Sequence, residues 1–490
     1  MDKKTRERQK KAYKKIPEKE FEVFTHNDEL YEKALKESKE VTEPLRFIPV
    51  KSVEYIEYEN KPPPPERKYQ LNYWRSDIFV STILKCIFEK HGFRPVKGGL
   101  NWNVTMASIP IMLGLMRKMN QYQRMNRFPC CLQLTRKHNM YTNYLKMKRR
   151  FPEDFDYLPL TFRFPYEFPD FLKYFGENKK SVWIIKPPTL SRGRGVRLIT
   201  SPNDVTRKMM CDRYVCSKYI DDPYLINGMK FDMRIYVFVT SFLPLRAYIY
   251  ENSFVRFATE EYKNEDFVNL FRHITNFTIN SKNPKFVIDE NSESGGTNWS
   301  LKAFKKYMIE ERGVDFDKID ESIKDIVVKS LLTVEDVVVT SMRKDVPFRN
   351  NCFQIFGYDM MLDSNLNVHL LEVNFDPSLK SYFPLRFNIN SPMMASFFDM
   401  LRIRGYDRRK IKDDPYQRFV MTDEIKNEKA NDDDELTIVE NMIIHESKDE
   451  ISKKGGWNLA YPCADSEKYD RFFFEKRNIN TILREALYKS

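Results

Sequence analysis

No apolar run in this 490-residue sequence approaches the ~18 residues that a membrane helix needs. The N-terminus, Met1-Asp-Lys-Lys-Thr-Arg-Glu-Arg8, has no apolar core, so no secretory signal is expected, and the reading is of a cytoplasmic protein with no membrane partner. Seven cysteines, an odd number with only Cys130 and Cys131 adjacent, supply neither a disulfide framework nor zinc-ligand spacing, and reduced thiols are expected. No Gly-x4-Gly-Lys-Ser/Thr occurs, which excludes a P-loop, and no internal repeat is visible.

What is present argues for a folded, charged protein. Hydrophobic residues at 41% and aromatics at 14% exclude global disorder, while 31% charged residues and a mean hydropathy of -0.60 describe a strongly charged surface. The length allows about three domains. A formal net charge of +12 favours an acidic partner, whether nucleic acid, anionic lipid or an acidic protein tail, and composition does not choose among them.

The chemistry gathers around Gly357 to Leu379, two apolar runs flanking the polar turn Asp363-Ser-Asn-Leu-Asn367. A turn centred between Asn365 and Leu366 puts Asp359 opposite Glu372, and a period of two puts Asn374 on the same face. Facing carboxylates repel unless a cation sits between them, and Mg²⁺ with nucleotide phosphates is the usual occupant. An exposed hairpin edge with scattered acids gives the same pattern, so other segments must decide.

Upstream, Ile78 to Phe88 has helical apolar spacing. Val182-Trp-Ile-Ile-Lys-Pro-Pro188 reads as a buried strand carrying Lys186, followed by the loop Ser191-Arg-Gly-Arg-Gly-Val196, which either covers phosphates or is a plain turn. Arg213 to Ile220 is another strand. In Lys230-Phe-Asp-Met-Arg-Ile235 three charges alternate with apolar residues, so one strand face carries Lys230, Asp232 and Arg234, as edge solvation or a phosphoryl-transfer site would require. Arg246 to Tyr250 and Phe254 to Ala258 are expected to form a hairpin across Glu251-Asn-Ser253, with Arg256 either at the surface or binding a carboxylate bidentately. His273-Ile-Thr-Asn276 follows, its histidine read as structural. Helices are expected from Leu301 to Glu311 and from Ile319 to Met342. Beyond Gly405 lie an acidic run, Asp432-Asp-Asp-Glu435, an amphipathic stretch from Leu436 to Ile451, and the aromatic Phe472-Phe-Phe474.

In order along the chain, Trp183 to Pro188 with Ser191 to Val196, Pro223 to Val237, Val255 to Ala258, His273 to Asn276, and Phe356-Gly-Tyr-Asp359 through Glu372-Val-Asn374 resemble the tubulin tyrosine ligase-like family, an ATP-grasp group, and in particular its polyglutamylating members. The resemblance spans Leu71 to Gly405, with a weaker echo to the C-terminus. It implies an α/β (α+β) fold with five parts. These are a polar, basic-start extension at 1–70, a small N-terminal α/β domain at 71–165, a central ATP-grasp domain at 166–260, a C-terminal ATP-grasp domain at 261–405, and a helical extension at 406–490 that contacts microtubules. The basic start of the extension is read equally as a polyanion contact, as solubilising disorder or as a nuclear address.

The implied activity is that of a monomeric ligase using ATP and two Mg²⁺ to phosphorylate a glutamate carboxylate in an acidic tubulin tail and join free L-glutamate to it, on the cytoskeleton and at ciliary or flagellar basal bodies, without nucleic acid. By the same resemblance Lys186 and the loop Arg192, Gly193, Arg194, Gly195 and Val196 hold phosphates. Cys216, Ser217, Lys218, Tyr219 and Ile220 meet adenine. Lys230, Asp232 and Arg234 line the transfer region, and Lys230 with Arg256 faces the incoming amino acid. Thr275 and Asn276 approach ribose and phosphates, while Asp359, Glu372 and Asn374 hold metal. Two positions depart from the family pattern. Asp376 adds a carboxylate beside the metal or acceptor, and Asn298 stands where the family often has lysine. A glycylating ligase, a glutamylase of another acidic protein and a non-catalytic microtubule-binding scaffold are the alternatives.

Overall fold

The structure, a computed structural model, describes residues 41–51, 67–74, 82–97, 99–107, 109–188, 193–289, 292–381, 383–420 and 437–489. The basic run Lys3 to Lys15, the prolines 62–65, Arg192 and the acidic run 432–435 lie outside them.

Three sheets follow one another along the chain. β1 (Leu71–Trp74), β2 (Phe93–Val96), β3 (Val104–Thr105) and β4 (Arg124–Met125) make a parallel sheet ordered β2-β1-β3-β4. Its crossovers carry α1 (Thr82–Lys90) and α2 (Ile109–Met116), and α3 (Leu132–Thr135) and α4 (Lys137–Arg150) lead out of it. The second sheet is antiparallel, β5 (Thr161–Arg163), β6 (Trp183–Lys186), β7 (Arg197–Ile199) and β8 (Val215–Lys218) in the order β5-β8-β6-β7, with α5 (Phe168–Glu177) against one face and α6 (Arg207–Cys211) before β8. Alternation along β6 sorts its side chains. Trp183 and Ile185 join Phe162, Phe171 and Phe175 in an aromatic core, whereas Ile184 and Lys186 point the other way.

The third sheet is built on one long strand. β9 (Leu225–Ile226), β10 (Met229–Phe242), β11 (Leu245–Tyr250), β12 (Phe254–Phe257), β13 (Asn298–Ser300), β14 (Gln354–Leu362), β15 (Val368–Asn374) and β16 (Trp457–Tyr461) pair antiparallel around β10. On β10 the odd residues Phe231, Met233, Ile235, Val237 and Val239 enter one core. There they meet α9 (Leu301–Glu310), α10 (Phe316–Leu332) and α11 (Glu335–Asp345), which follow the short α7 (Leu270–His273) and α8 (Phe277–Asn280). The even residues change character along the strand: Lys230, Asp232 and Arg234 are charged, Tyr236 and Phe238 pack into a second core with α12 (Pro384–Met400), and Thr240 is polar again. Burying each such apolar side chain stabilises by ~1.5–3 kcal/mol, so both faces are held while both ends stay available for polar work.

Several expectations need correction. β11 and β12 do not pair with each other. Both pair with β10, β11 along 237–242 and β12 along 231–234, and the hairpin turn is Leu243-Pro244. Glu251 to Ser253 is an interruption in one long partner strand, where the Ser253 hydroxyl donates to the Arg234 carbonyl. The helix expected from Ile319 to Met342 is two helices, because the chain turns at Thr333-Val334, where Thr333 Oγ1 donates to the Ser330 carbonyl at 2.7 Å. Residues 41–51 of the extension pack on the core: Phe47 N donates to Asp399 Oδ1, and Ser391 Oγ donates to Val50 O at 2.9 Å. The boundary at 260 falls inside the third sheet, since β10 pairs with β14. The region after 405 holds α13 (Ile438–Ser452) and α14 (Asn478–Tyr488), and also β16, which extends the sheet beyond β11. None of the seven cysteines is in a disulfide, and among the described residues no helix is long and apolar enough to cross a membrane.

Candidate active site

The cleft-facing side of the second sheet and the charged end of β10 enclose an open cleft of about 1120 Å³, counting its mouth. Five separate stretches reach it: Lys186 on β6, the loop at Gly193 and Val196, Ser217 to Ile220 at the end of β8, Lys230 and Asp232 on β10, and Thr275-Asn276. Gly193 has φ of 72°, and a Cβ there would collide with Ile279 and lie 3.2 Å from Asn276 Oδ1, so only glycine lets this loop approach the 275–276 segment.

The β14–β15 hairpin closes the remaining side. Its register pairs Asp359 with Glu372 and Gly357 with Asn374, and Leu366 takes the positive φ that the turn requires. Asn374 Nδ2 lies 3.4 Å from both Asp359 Oδ2 and Glu372 Oε1. Asp359 is 3% exposed, and burial pushes its carboxyl up, but Arg234 and Arg256 outweigh this and hold it well below the usual range. Arg234 reaches its two oxygens at 2.5 and 3.1 Å, and Arg256 Nη2 lies 3.1 Å from Oδ2. Glu372 is met by Lys137 Nζ at 3.1 Å. Among the described residues no three His, Cys, Asp or Glu side chains group as a complete metal cage. Two hard carboxylates and an amide that touches both still fit Mg²⁺, which is normally bound by one or two carboxylates with the rest of its shell from water and phosphate.

Lys137, Lys186, Lys230, Arg234 and Arg256 therefore surround Asp232, Asp359 and Glu372 here, and the exposed Lys218 also lines the cleft. Lys230 is 1% exposed and donates to Tyr219 OH at 2.7 Å and to Ile220 O at 3.3 Å. Burial pushes its ammonium down to about 7, against the pull of Asp232 and Asp221. Burial also lowers Lys186, opposed by Glu372, and its Nζ lies 3.4 Å from Leu371 O. Tyr219 OH is 3.0 Å from His273 Nδ1, and burial, with Lys230 adding, lowers the imidazole. A neutral His273 accepts at Nδ1 and donates from Nε2 to the Glu265 and Asp266 carbonyls, at 3.2 and 3.3 Å, so it props Tyr219 and serves structure.

Not every expected residue reaches the cleft. Cys216 is fully buried in the aromatic core, and β8 there is hydrogen-bonded to β5 and β6 on both sides, so residues past the strand end, Tyr219 and Ile220, are the ones with room to meet a base. Arg194 and Gly195 are exposed and stand off the cleft wall. Arg256 is 7% exposed and bound through Nε to Asp232 Oδ1 at 2.8 Å and through Nη2 to Asp232 Oδ2, so it is an internal strut in this state. Asp376 adds no free charge: Arg127 Nη2 reaches both of its oxygens at 2.7 Å. Asn298 sits beside Arg256 in register with a buried, unpartnered Oδ1. Lys137 and the apolar Met140, Met361 and Leu370 of the cleft carried no local signal in the sequence.

A small antiparallel sheet facing a larger one across a cation-rich cleft, with opposed carboxylates on a hairpin, is the ATP-grasp architecture. The chain belongs to the tubulin-tyrosine ligase family, whose profile matches residues 115–409. It is 30% identical over 462 residues to "Tubulin polyglutamylase TTLL5" of Mus musculus, covering 86% of this chain and 34% of the relative. It is 29% identical over 460 residues to "Tubulin monoglutamylase TTLL4" of Mus musculus, covering 85% and 38%. "Tubulin polyglutamylase ttll6" of Danio rerio is 29% identical over 393 residues, covering 79% and 50%. The chain thus spans a third to a half of the length of these relatives.

Proposed function

We propose that this chain is an ATP-dependent acid–amino-acid ligase that joins free L-glutamate to side-chain carboxylates of acidic tubulin C-terminal tails. The observation that carries the reading is the convergence of five cations on a carboxylate hairpin, in a family whose relatives above are named as tubulin glutamylases. A carboxylate is inert toward amines and must first be activated. An acceptor oxygen attacks the γ-phosphorus of ATP, the bond to the bridging oxygen breaks, and ADP leaves with the electron pair. The glutamate amine then attacks the acyl carbon and loses a proton, and phosphate departs.

In this reading Lys186 with Gly193 and Val196 of the loop hold phosphates, Tyr219 and Ile220 meet adenine, and Thr275 and Asn276 approach ribose and phosphates. Lys230 neutralises charge that develops on the transferring group, which a buried cation does without reorganisation. Asp359, Glu372 and Asn374 would hold Mg²⁺, which supplies charge neutralisation at the transferred phosphoryl group. Arg256 meets the amino acid's carboxylate by exchanging it for an Asp232 or Asp359 contact. Residues 71–405, whose third sheet runs across the expected boundary at 260, form the catalytic unit, and the 406–490 region contacts the microtubule. Such a protein acts as a monomer on the cytoskeleton, including basal bodies, and needs no nucleic acid or membrane.

The test is mass spectrometry of microtubules incubated with the protein, ATP, Mg²⁺ and equimolar glutamate and glycine. Glutamyl-sized additions are expected. Glycyl-sized additions would replace the donor, additions on a different acidic protein would replace the acceptor, and equal inertness of wild type and Asp359→Ala would leave a scaffold.

A further inference from the structure

Asp359 Oδ2 is crowded. Arg234 Nη2 and Arg256 Nη2 each lie 3.1 Å from it, and Asn374 Nδ2 lies at 3.4 Å. A carboxylate oxygen has two lone pairs, so a donor must withdraw before this oxygen can also meet a cation. Arg234 is the least free to do so, because it pairs in register with Asp359 and also reaches Oδ1 through Nε at 2.5 Å. Arg256 comes from β12, on the far side of β10, and touches Asp359 through this one contact while its Nε holds Asp232 Oδ1 at 2.8 Å. Arg256 is therefore the group that yields. It is 7% exposed, so an N–H released there without a new acceptor would stay buried and unpaired, which is costly.

An acceptor stands on the next strand. Asp232, Arg256 and Asn298 are cross-strand neighbours in one row over β10, β12 and β13, so their side chains share a face, with neighbouring Cβ atoms ~4.5–5.5 Å apart. Asn298 is 6% exposed, and its buried Oδ1 has no hydrogen-bond partner among the described residues. Native folds seldom leave such a carbonyl without a donor. Its direction follows from the other end of the amide. Thr297 Oγ1 gives its proton to Val287 O at 2.9 Å, so it can only accept from Asn298, which fixes Nδ2 toward it at 3.3 Å and leaves Oδ1 pointing away.

We infer that Asn298 is a positioning residue for the metal site: its Oδ1 takes the Arg256 N–H that Asp359 releases on binding a cation. This rests on the ligase reading above, in which Asp359 takes Mg²⁺. Arg256 keeps Asp232 through Nε, so its guanidinium tilts across β12 and does not leave the row. The exchange replaces one of its two carboxylates by a neutral amide. Nη1, which neither Asp232 nor Asp359 holds, is then the better partner for the carboxylate of the incoming amino acid. Metal binding at one end of the site in this way prepares the other, and Asn298 acts only through Arg256.

Calorimetry of the full chain with a non-hydrolysable ATP analogue, with and without Mg²⁺, gives the factor by which the metal tightens nucleotide binding. Asn298→Leu, close in size but without an acceptor, should cut that factor roughly fivefold, the effect of one buried hydrogen bond, while metal-free affinity stays within about twofold. In an Arg256→Met background the same substitution should leave the factor unchanged. Asn298→Asp, which keeps an acceptor, should hold the factor at or above that of the wild type. Each variant is checked for folding by far-ultraviolet circular dichroism. An unchanged factor in Asn298→Leu, an equal loss with and without Arg256, or a loss in Asn298→Asp overturns the assignment and leaves Asn298 a structural amide. If Mg²⁺ does not tighten binding to the wild type, or Asp359→Ala keeps the full factor, the metal reading of Asp359 falls and this inference falls with it.

Discussion

The two ends of β10 are both charged and hold their charge differently. In the cleft both arginines are locked to Asp232 and Asp359, and the surplus resides on lysines. At the Thr240 end arginines predominate, with Arg246 on Glu450 and Arg402 on Asp449. Lysine is a compact charge whose protonation burial can shift, whereas arginine stays charged. The first arrangement suits the proposed handling of phosphates through a reaction cycle, and the second ties α13 to the core.

Breaking each end separately sharpens this contrast. The largest effect is expected from Asp359→Ala, which removes a proposed metal ligand and strips two buried arginines of a partner. Ligation should become undetectable, and thermal stability should fall by the ~3–5 kcal/mol typical of a broken buried ion pair. Glu450→Gln at the opposite end should lower the melting temperature comparably while ATP affinity, measured by calorimetry, stays within a factor of two. Equal loss of ATP affinity in both variants would erase the distinction between the ends. Lys186→Met should reduce kcat/KM for ATP roughly 10- to 150-fold, the ~1.5–3 kcal/mol of one charge-assisted hydrogen bond, with little change in melting.

The next effect is one of pH. Lys230 is lowered from the usual lysine value to about 7 by burial. The unfolded chain binds this proton more tightly than the folded one, so the cost of burying Lys230 is absent at high pH, grows as pH falls toward about 7 and is constant below it. ATP favours the charged form, so its affinity should weaken as pH rises through about 7 and binding should take up a proton there, seen as buffer-dependent calorimetric heat. Lys230→Met should abolish that pH dependence and stabilise the free protein near neutrality. The smallest and least local effect is on microtubule affinity, which should weaken between about 50 and 200 mM salt if basic contacts to acidic tails dominate. Salt-independent binding would point to an apolar interface.

The hairpin and its facing Asp359 and Glu372 were legible from the turn and the apolar runs. The register at the turn, however, pairs Leu362 with Val368, and a bulge between Asp359 and Met360, which no local pattern marks, brings Asp359 opposite Glu372. The alternation of Lys230, Asp232 and Arg234 was legible from its period of two. The break at Thr333-Val334 was not, since no glycine or proline marks it and apolar spacing continues through Val338 and Val339. Nor was the continuous β11–β12 partner, because Glu251-Asn-Ser253 looks like a turn until the length of β10 is known. The commitments of Arg256 to Asp232 and of Asp376 to Arg127 join residues 24 and 249 positions apart. The cluster of arginines and glutamates at the Thr240 end gathers residues from 124 to 450, which no motif of neighbours could announce.

β16 has a consequence for biosynthesis. It pairs with β11 through Ala247 and Tyr461, more than two hundred residues apart in the chain. At ~5–20 residues per second of translation, the open edge of β11 waits roughly 10–40 s for its partner to be made. An unpaired edge is a template for strand addition from other chains, so a nascent copy exposes it to its neighbours on the same polysome. Truncation near Gly405 would make that exposure permanent.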